Sequence, residues 1–127
     1  MKYMSMFESL TGAKLKDCIV NDSIIFVVNQ NEMGKAIGKR GANARRMENL
    51  LKKRIKIIEF SDNVSKFVGN LIYPAKAKEI RDNLGIIEIT ADDLKTKGIL
   101  IGRDRHKINS INDIVKRYFE IKEVKVI

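Results

Sequence analysis

Apolar positions along this chain follow two rhythms, one helical and one strand-like, and the two alternate in the same order twice. Tyr3, Met6, Phe7 and Leu10 recur at helical spacing until Thr11-Gly12 closes the segment. Cys18-Ile19-Val20 and the run from Ile24 to Val28 are β-rich, and Asn21-Asp22-Ser23 between them is turn chemistry. Asn31 stands where an N-cap belongs for a brief helix carrying Met33, Ala36 and Ile37 toward a core. Gly38 and Gly41 interrupt that helix. A longer one from about Ala42 to Lys53 then places Ala44, Met47, Leu50 and Leu51 on one face. Ile55, Ile57, Ile58 and Phe60 close the unit as a strand, so the predicted order is α-β-β-α-α-β.

The second half repeats it. Ser61-Asp62 can cap a helix bearing Val64, Phe67, Val68, Leu71 and Ile72, which Pro74 stops. Lys76 to Arg81 is a weak, charged strand and Gly85 to Thr90 a stronger one. Asp92 or Asp93 caps the next helix, which ends at Gly102. Lys107 to Tyr118 turns Ile108, Ile111, Ile114 and Val115 inward, and Glu123 to Ile127 is the closing strand. The only boundary signal is Ser61-Asp62-Asn63, which divides the chain into modules 1–61 and 62–127. It is too short for a flexible linker, so the modules are expected to be held together.

Within this repeat lies a second, sharper one. Gly34-Lys35-Ala36-Ile37-Gly38-Lys39-Arg40-Gly41 returns as Gly98-Ile99-Leu100-Ile101-Gly102-Arg103-Asp104-Arg105, offset by 64 positions. Both read G-x-x-I-G-basic-x-x at a junction between two helix patterns. A helix junction offers unpaired backbone N–H groups and a favourable dipole to an anion, and glycine removes Cβ atoms that would hold a sugar-phosphate backbone away. Lys39 and Arg40 between the glycines can then meet phosphate oxygens, and Ile37 can floor a groove for a base. A C-cap glycine followed by a solvated turn explains one such loop equally well. It explains the recurrence less well. A nucleotide-binding P-loop is excluded by spacing: three residues separate Gly34 from Gly38, Arg40 follows Lys39, and no Ser or Thr lies between Asn31 and Phe60.

Charge sharpens the picture. The chain carries 25 Lys+Arg against 16 Asp+Glu, a net +9 that favours polyanionic partners. Between Lys35 and Lys56 nine basic residues face one acid, Glu48, which makes this the electrostatic focus. With one Cys and one His, no Cys/His zinc site can be assembled and no disulfide framework exists. No apolar run approaches the roughly 20 residues of a membrane span, and no signal-peptide core opens the chain. The expectation is a soluble, cytoplasmic protein with no cofactor, no metal, no membrane association and no small-molecule substrate.

At this point the residues meet a known pattern. The helix–G-x-x-G–helix unit in α-β-β-α-α-β order resembles the type II KH domain, whose loop clamps about four nucleotides of a single strand. Two in tandem, in a chain this short, resemble the archaeal NusA-like transcription factors. Thr11-Gly12-Ala13-Lys14, Lys16-Asp17-Cys18-Ile19 and Ile24-Ile25-Phe26-Val27-Val28 are similar to that family around its first strands. So are Gly34 to Gly41, Val64-Ser65-Lys66-Phe67-Val68 and Pro74-Ala75-Lys76. The resemblance implies an α+β fold of two type II KH modules, each a three-stranded sheet with helices on one face. It also implies single-stranded RNA binding in transcription elongation, termination or antitermination. Bacterial relatives add a polymerase-binding and an S1 domain, for which this length leaves no room. RNA polymerase is therefore a second candidate partner rather than an implied one.

The RNA-binding candidates are Ile37, Gly38, Lys39, Arg40, Gly41, Asn43, Arg45 and Arg46 in the first module. Ile101, Gly102, Arg103, Arg105 and Lys107 are their counterparts in the second. The second loop departs from the pattern, with Arg105 in place of glycine and the acid Asp104 where phosphate would lie. His106 reads as a solvated loop residue, Cys18 as a small core residue, and Tyr118 and Phe119 as core rather than stacking platforms. Asp92-Asp93 and Glu120/Glu123 have no nucleophile or metal partner, so no catalytic constellation emerges and the chain is read as a non-enzyme. Two other classes stay open. A basic adapter for polymerase or ribosomal proteins would keep its partner after nuclease treatment. An RNA-processing or ribosome-assembly protein is the other, and the first of these activities is disfavoured by the lack of suitably placed carboxylates, His or Cys.

Overall fold

Strand β2 (Ile24–Val28) is the central strand of its sheet and is buried at all five positions. The computed structural model describes residues 2–127. Within it the chain divides into two compact units, Met1–Ser61 and Asp62–Ile127. The first opens with α1 (Lys2–Thr11), whose end is tied by Thr11 Oγ1 donating to the Phe7 carbonyl (2.8 Å) and by Gly12 at φ 76°. Glu8 accepts the Leu15 N–H (2.9 Å), fixing the entry into β1 (Leu15–Val20). β1 pairs antiparallel with β2, with an irregularity between Leu15 and Asp17, and β2 pairs parallel with β3 (Ile55–Glu59).

A parallel pair needs a crossover, since a hairpin would reverse the strand. Here the crossover is α2 (Met33–Ile37), a 3-10 turn (Lys39–Gly41) and α3 (Ala42–Leu51). Ala36 of α2 and Met47 of α3 are fully buried with Phe7, Ile24, Phe26 and Val28, and the Phe7 and Phe26 rings stack at 4.3 Å. Both crossover helices are thus anchored to one sheet face, and the turn between them is left in solvent.

The second unit repeats this plan with α4 (Val64–Ile72), β4 (Ala77–Asn83), β5 (Ile86–Ala91), α5 (Leu94–Ile101), a 3-10 turn (Arg103–Arg105), α6 (His106–Tyr118) and β6 (Glu123–Val126). Its sheet order is β4-β5-β6, antiparallel then parallel, so α5 and α6 again form the crossover. Leu100, Ile108, Ile111 and Val115 anchor those helices, and Phe67 packs against the rings of Tyr118 and Phe119 at 5.6 and 5.7 Å. Asn112 on α6 acts as a surrogate strand: it accepts the Val124 N–H (2.7 Å) and donates to the Val124 carbonyl (2.9 Å).

Several local details differ from the sequence reading. Asn31 does not cap α2; it sits in a turn at φ 68°, and Glu32 precedes the helix without a side-chain cap. The Glu32 carboxylate is engaged elsewhere, accepting the Lys14 N–H (2.7 Å) and pairing with Lys35 (3.6 Å). Asn63, rather than Ser61 or Asp62, caps α4 by accepting the Lys66 N–H (2.9 Å). Of the two candidate acids before α5 it is Asp93 that caps, and the Thr96 N–H it accepts holds its carboxyl below the usual range. Leu50, expected inside, is 56% exposed. α3 stops at Leu51 because Lys52 turns left-handed (φ 54°) and returns its N–H to Glu48. The charged stretch before Gly85 forms a longer strand than its composition suggests. As an edge strand it solvates its charges, and Arg81 pairs with Glu88 across to β5 (3.0 Å).

Candidate nucleic-acid interface

The two glycine loops follow one backbone path although their sequences differ. In the first, Gly38 stands at φ 76°, ψ 172°, Arg40 at 55°, 29° and Gly41 at 73°, 17°. In the second, Gly102 stands at 76°, 171°, Asp104 at 52°, 32° and Arg105 at 63°, 17°. The arginine in place of the second glycine therefore changes the side chain presented and leaves the chain's course intact. It holds the left-handed region at a cost of roughly 1–2 kcal/mol that glycine would not incur.

Hydrogen bonds close each loop in the same way. Gly38 N–H donates to Gly34 O (3.0 Å), Gly41 N–H to Gly38 O (3.1 Å) and Ala42 N–H to Lys39 O. None of these uses the Lys39 or Arg40 amide, and both residues are exposed. The second loop matches with Gly102 N–H to Gly98 O (2.9 Å) and Arg105 N–H to Gly102 O (3.2 Å).

The first glycine of each loop meets a requirement within the chain itself, beside the close approach of a backbone that the sequence suggests. A Cβ on Gly38 would lie 2.8 Å from Asn43 Cγ, and one on Gly102 would lie 2.6 Å from Lys107 Cβ. The methyl would strike the following helix of the same chain before it obstructed any ligand. Gly34 and Gly98 are different. Both are exposed, neither has positive φ, and nothing lies within 4 Å of a Cβ built on either. The fold gives no reason for a glycine at these two helical positions.

The structure places the candidate residues as follows. Ile37 and Gly38 are half-buried at the end of α2, Lys39 and Arg40 are exposed, and Gly41 is half-buried at the start of α3. Arg45 and Arg46 are exposed on α3, with Asn43 half-buried beneath the loop. In the second unit Ile101 and Gly102 are half-buried, and Arg103, Arg105 and Lys107 are exposed. Gly102, Arg103 and Lys107, with Asp104, His106 and Asn109, line an open depression at that loop. His106 is the first residue of α6.

Two side chains have roles that charge alone does not reveal. Arg45 Nη1 donates to the carbonyl of Arg40 (2.7 Å), and Asn43 Nδ2 donates to that of Lys35 (2.9 Å). Both reach back from α3 onto the loop and onto the end of α2. The available signal was their position in the first turn of a helix behind a glycine turn, where free carbonyls of the preceding helix lie within reach. Lys35 is drawn toward Glu32, so among the described candidate residues of the first unit the cations standing clear are Lys39, Arg40 and Arg46. Cys18 is half-buried against the first core, and burial pushes its thiol up, away from nucleophilic use. Among the described residues no cluster of three or more His, Cys, Asp or Glu could hold a metal ion, and no helix is long and apolar enough to cross a membrane.

A three-stranded sheet whose parallel pair is joined by two helices and a glycine turn is the KH fold. The family described as NusA-like second KH domain matches residues 7–65, which span most of the first unit. The "Probable transcription termination protein NusA" of Halococcus morrhuae is 31% identical over 99% of this chain and 93% of its own length. The protein of the same name from Methanocaldococcus jannaschii is 29% identical over 98% of this chain and 70% of its own. The crystal structure of APE1850 superimposes with a TM-score of 0.75 at 27% identity, covering 99% of this chain and 96% of that one. The chain belongs to the archaeal NusA-like family.

Proposed function

We propose that the two units, 1–61 and 62–127, are two KH domains that bind single-stranded RNA during transcription, with the first glycine loop as the principal backbone clamp. The observation that carries this reading is the first loop itself. Exposed Lys39 and Arg40 lie on a turn whose closing hydrogen bonds leave their amides unused, within the most basic stretch of the chain. Such a turn presents N–H donors and two cations to the same anion. Base edges lying along the groove beside Ile37 would select sequence, and phosphate contacts would supply most of the affinity. Termination, named in the relatives, is the stage of transcription the reading favours. Nothing in it calls for catalysis.

Two measurements test it. Binding should weaken with salt at about 0.7 in log K per phosphate neutralised on a single strand, so a clamp of a few phosphates gives a slope of roughly −2 to −4. Duplex RNA should compete poorly, because paired bases cannot lie in a groove. Equal affinity for duplex and single strand would point to a nonspecific basic surface instead.

Gly34 supplies an independent check. Alanine there should stabilise the first unit by up to about 1 kcal/mol, since it favours helix and its methyl meets open space. If RNA lies close along α2, the same methyl should weaken binding several-fold. A variant that melts higher and binds normally would place the RNA away from this helix.

A further inference from the structure

Arg45 lies in the most basic stretch of the chain, yet its guanidinium is turned onto the loop's own backbone. Its Nη1 bonds the Arg40 carbonyl at 2.7 Å and lies 3.4 Å from where a Gly41 Cβ would be, so the side chain spans the turn. Asn43 works from the other side. Its Nδ2 bonds the Lys35 carbonyl at 2.9 Å, and its amide group packs against Gly38, leaving no room for a methyl. Together they join the end of α2, the turn and the start of α3. Arg40 sits between them in the left-handed region (φ 55°), a conformation that an arginine readily leaves when nothing holds it.

We propose that Asn43 and Arg45 are positioning residues for the RNA clamp, holding the Lys39 and Arg40 amides in their anion-binding arrangement before RNA arrives. The proposal rests on the RNA-binding reading above but concerns residues that need not touch RNA. A braced loop has less conformational freedom to lose on binding, so the brace contributes affinity without a contact. The second unit provides the contrast. Lys107 and Asn109 stand at the two equivalent positions. Lys107 packs against Gly102 as Asn43 does against Gly38, but among the described residues neither side chain bonds a carbonyl of the second loop as Asn43 and Arg45 do in the first. Asparagine at 109 is several atoms shorter than the arginine it replaces, so it cannot reproduce the Arg45 span.

The full-length chain carrying Arg45→Met, Asn43→Ala or, as control, Arg46→Met decides the matter. Backbone order parameters of residues 39–41 are measured without RNA, and affinity for a single-stranded oligonucleotide is measured across a salt series. The braces predict that Arg45→Met and Asn43→Ala lower the loop's order parameters from about 0.85 toward 0.6. Both should lose about tenfold in affinity with the salt slope unchanged. Arg46→Met removes the same charge one residue on, from a side chain that does not hold the loop. It should leave the loop ordered and make the slope shallower by about 0.7. A loop as rigid in Arg45→Met as in the parent overturns the proposal. So does a slope shallower by about 0.7 in that variant, which would make Arg45 a phosphate contact. If Asn43→Ala does not fold, the two arginine variants decide alone. If the parent binds no RNA, the function reading fails, and the order parameters still judge the brace.

Discussion

Replacing Lys39 and Arg40 together by aspartate is expected to lower affinity for single-stranded RNA at least a hundredfold while the fold stays intact. Charge-assisted hydrogen bonds contribute roughly 1.5–3 kcal/mol each, so losing two removes about 3–6 kcal/mol, and every 1.4 kcal/mol is tenfold. Aspartate adds repulsion to that loss. The fold has little at stake, because both side chains are exposed and the loop is closed by main-chain bonds and by groups from α3. Circular dichroism and the melting midpoint should therefore match the parent, and a binding titration at fixed salt reads the effect. A folded variant that binds normally would end the clamp reading. An unfolded one would show that the loop stabilises the first unit in a way its exposure does not suggest.

Much of the architecture was legible because the signals were redundant. Ile24 to Val28 is a continuous apolar run, which suits a strand buried on both faces, and all five residues of β2 are buried. The repeated glycine turns were legible from their offset, since only a turn demands glycine at matching places in two helix patterns. Caps were less legible. Asn31, Glu32, Ser61, Asp62 and Asn63 all carry a suitable oxygen, and the choice depends on which residue the tertiary fold puts in the extended conformation before the first turn. Leu50 fits a helical stripe, but the sheet is narrow and the stripe is wider than what it covers. The charged β4 was hard to recognise because edge strands need no alternation of apolar residues. Arg45 shows the deepest limit of composition. Its charge reads the same in sequence whether the guanidinium faces solvent or bends back onto a carbonyl, so it counted toward the basic surface when its nearest partner is the loop.

The same reasoning sets the expectation for the unequal loops. Because the two turns share their dihedral angles, the second unit differs from the first mainly in what its side chains would present to an anion. Asp104 occupies the place of Arg40. At an effective dielectric near 20, a like charge about 5 Å away costs roughly 3 kcal/mol before screening and water exposure reduce it. A residual of about 1.4 kcal/mol is a tenfold loss in affinity. Arg105 adds a Cβ and a long side chain where Gly41 leaves the first loop open. Substitutions in 38–41 should accordingly cost more binding than equivalent ones in 102–105. The repair, Asp104→Lys with Arg105→Gly, should raise RNA affinity about tenfold. Stability should change little: glycine removes the left-handed cost at 105, while the greater freedom it gives the unfolded chain offsets part of the gain. The single variants separate the contributions, with Asp104→Lys testing charge and Arg105→Gly testing close approach. If the repair weakened binding, Arg103 and Arg105 would have to grip RNA through their side chains, and the second loop rather than the first would be the principal contact.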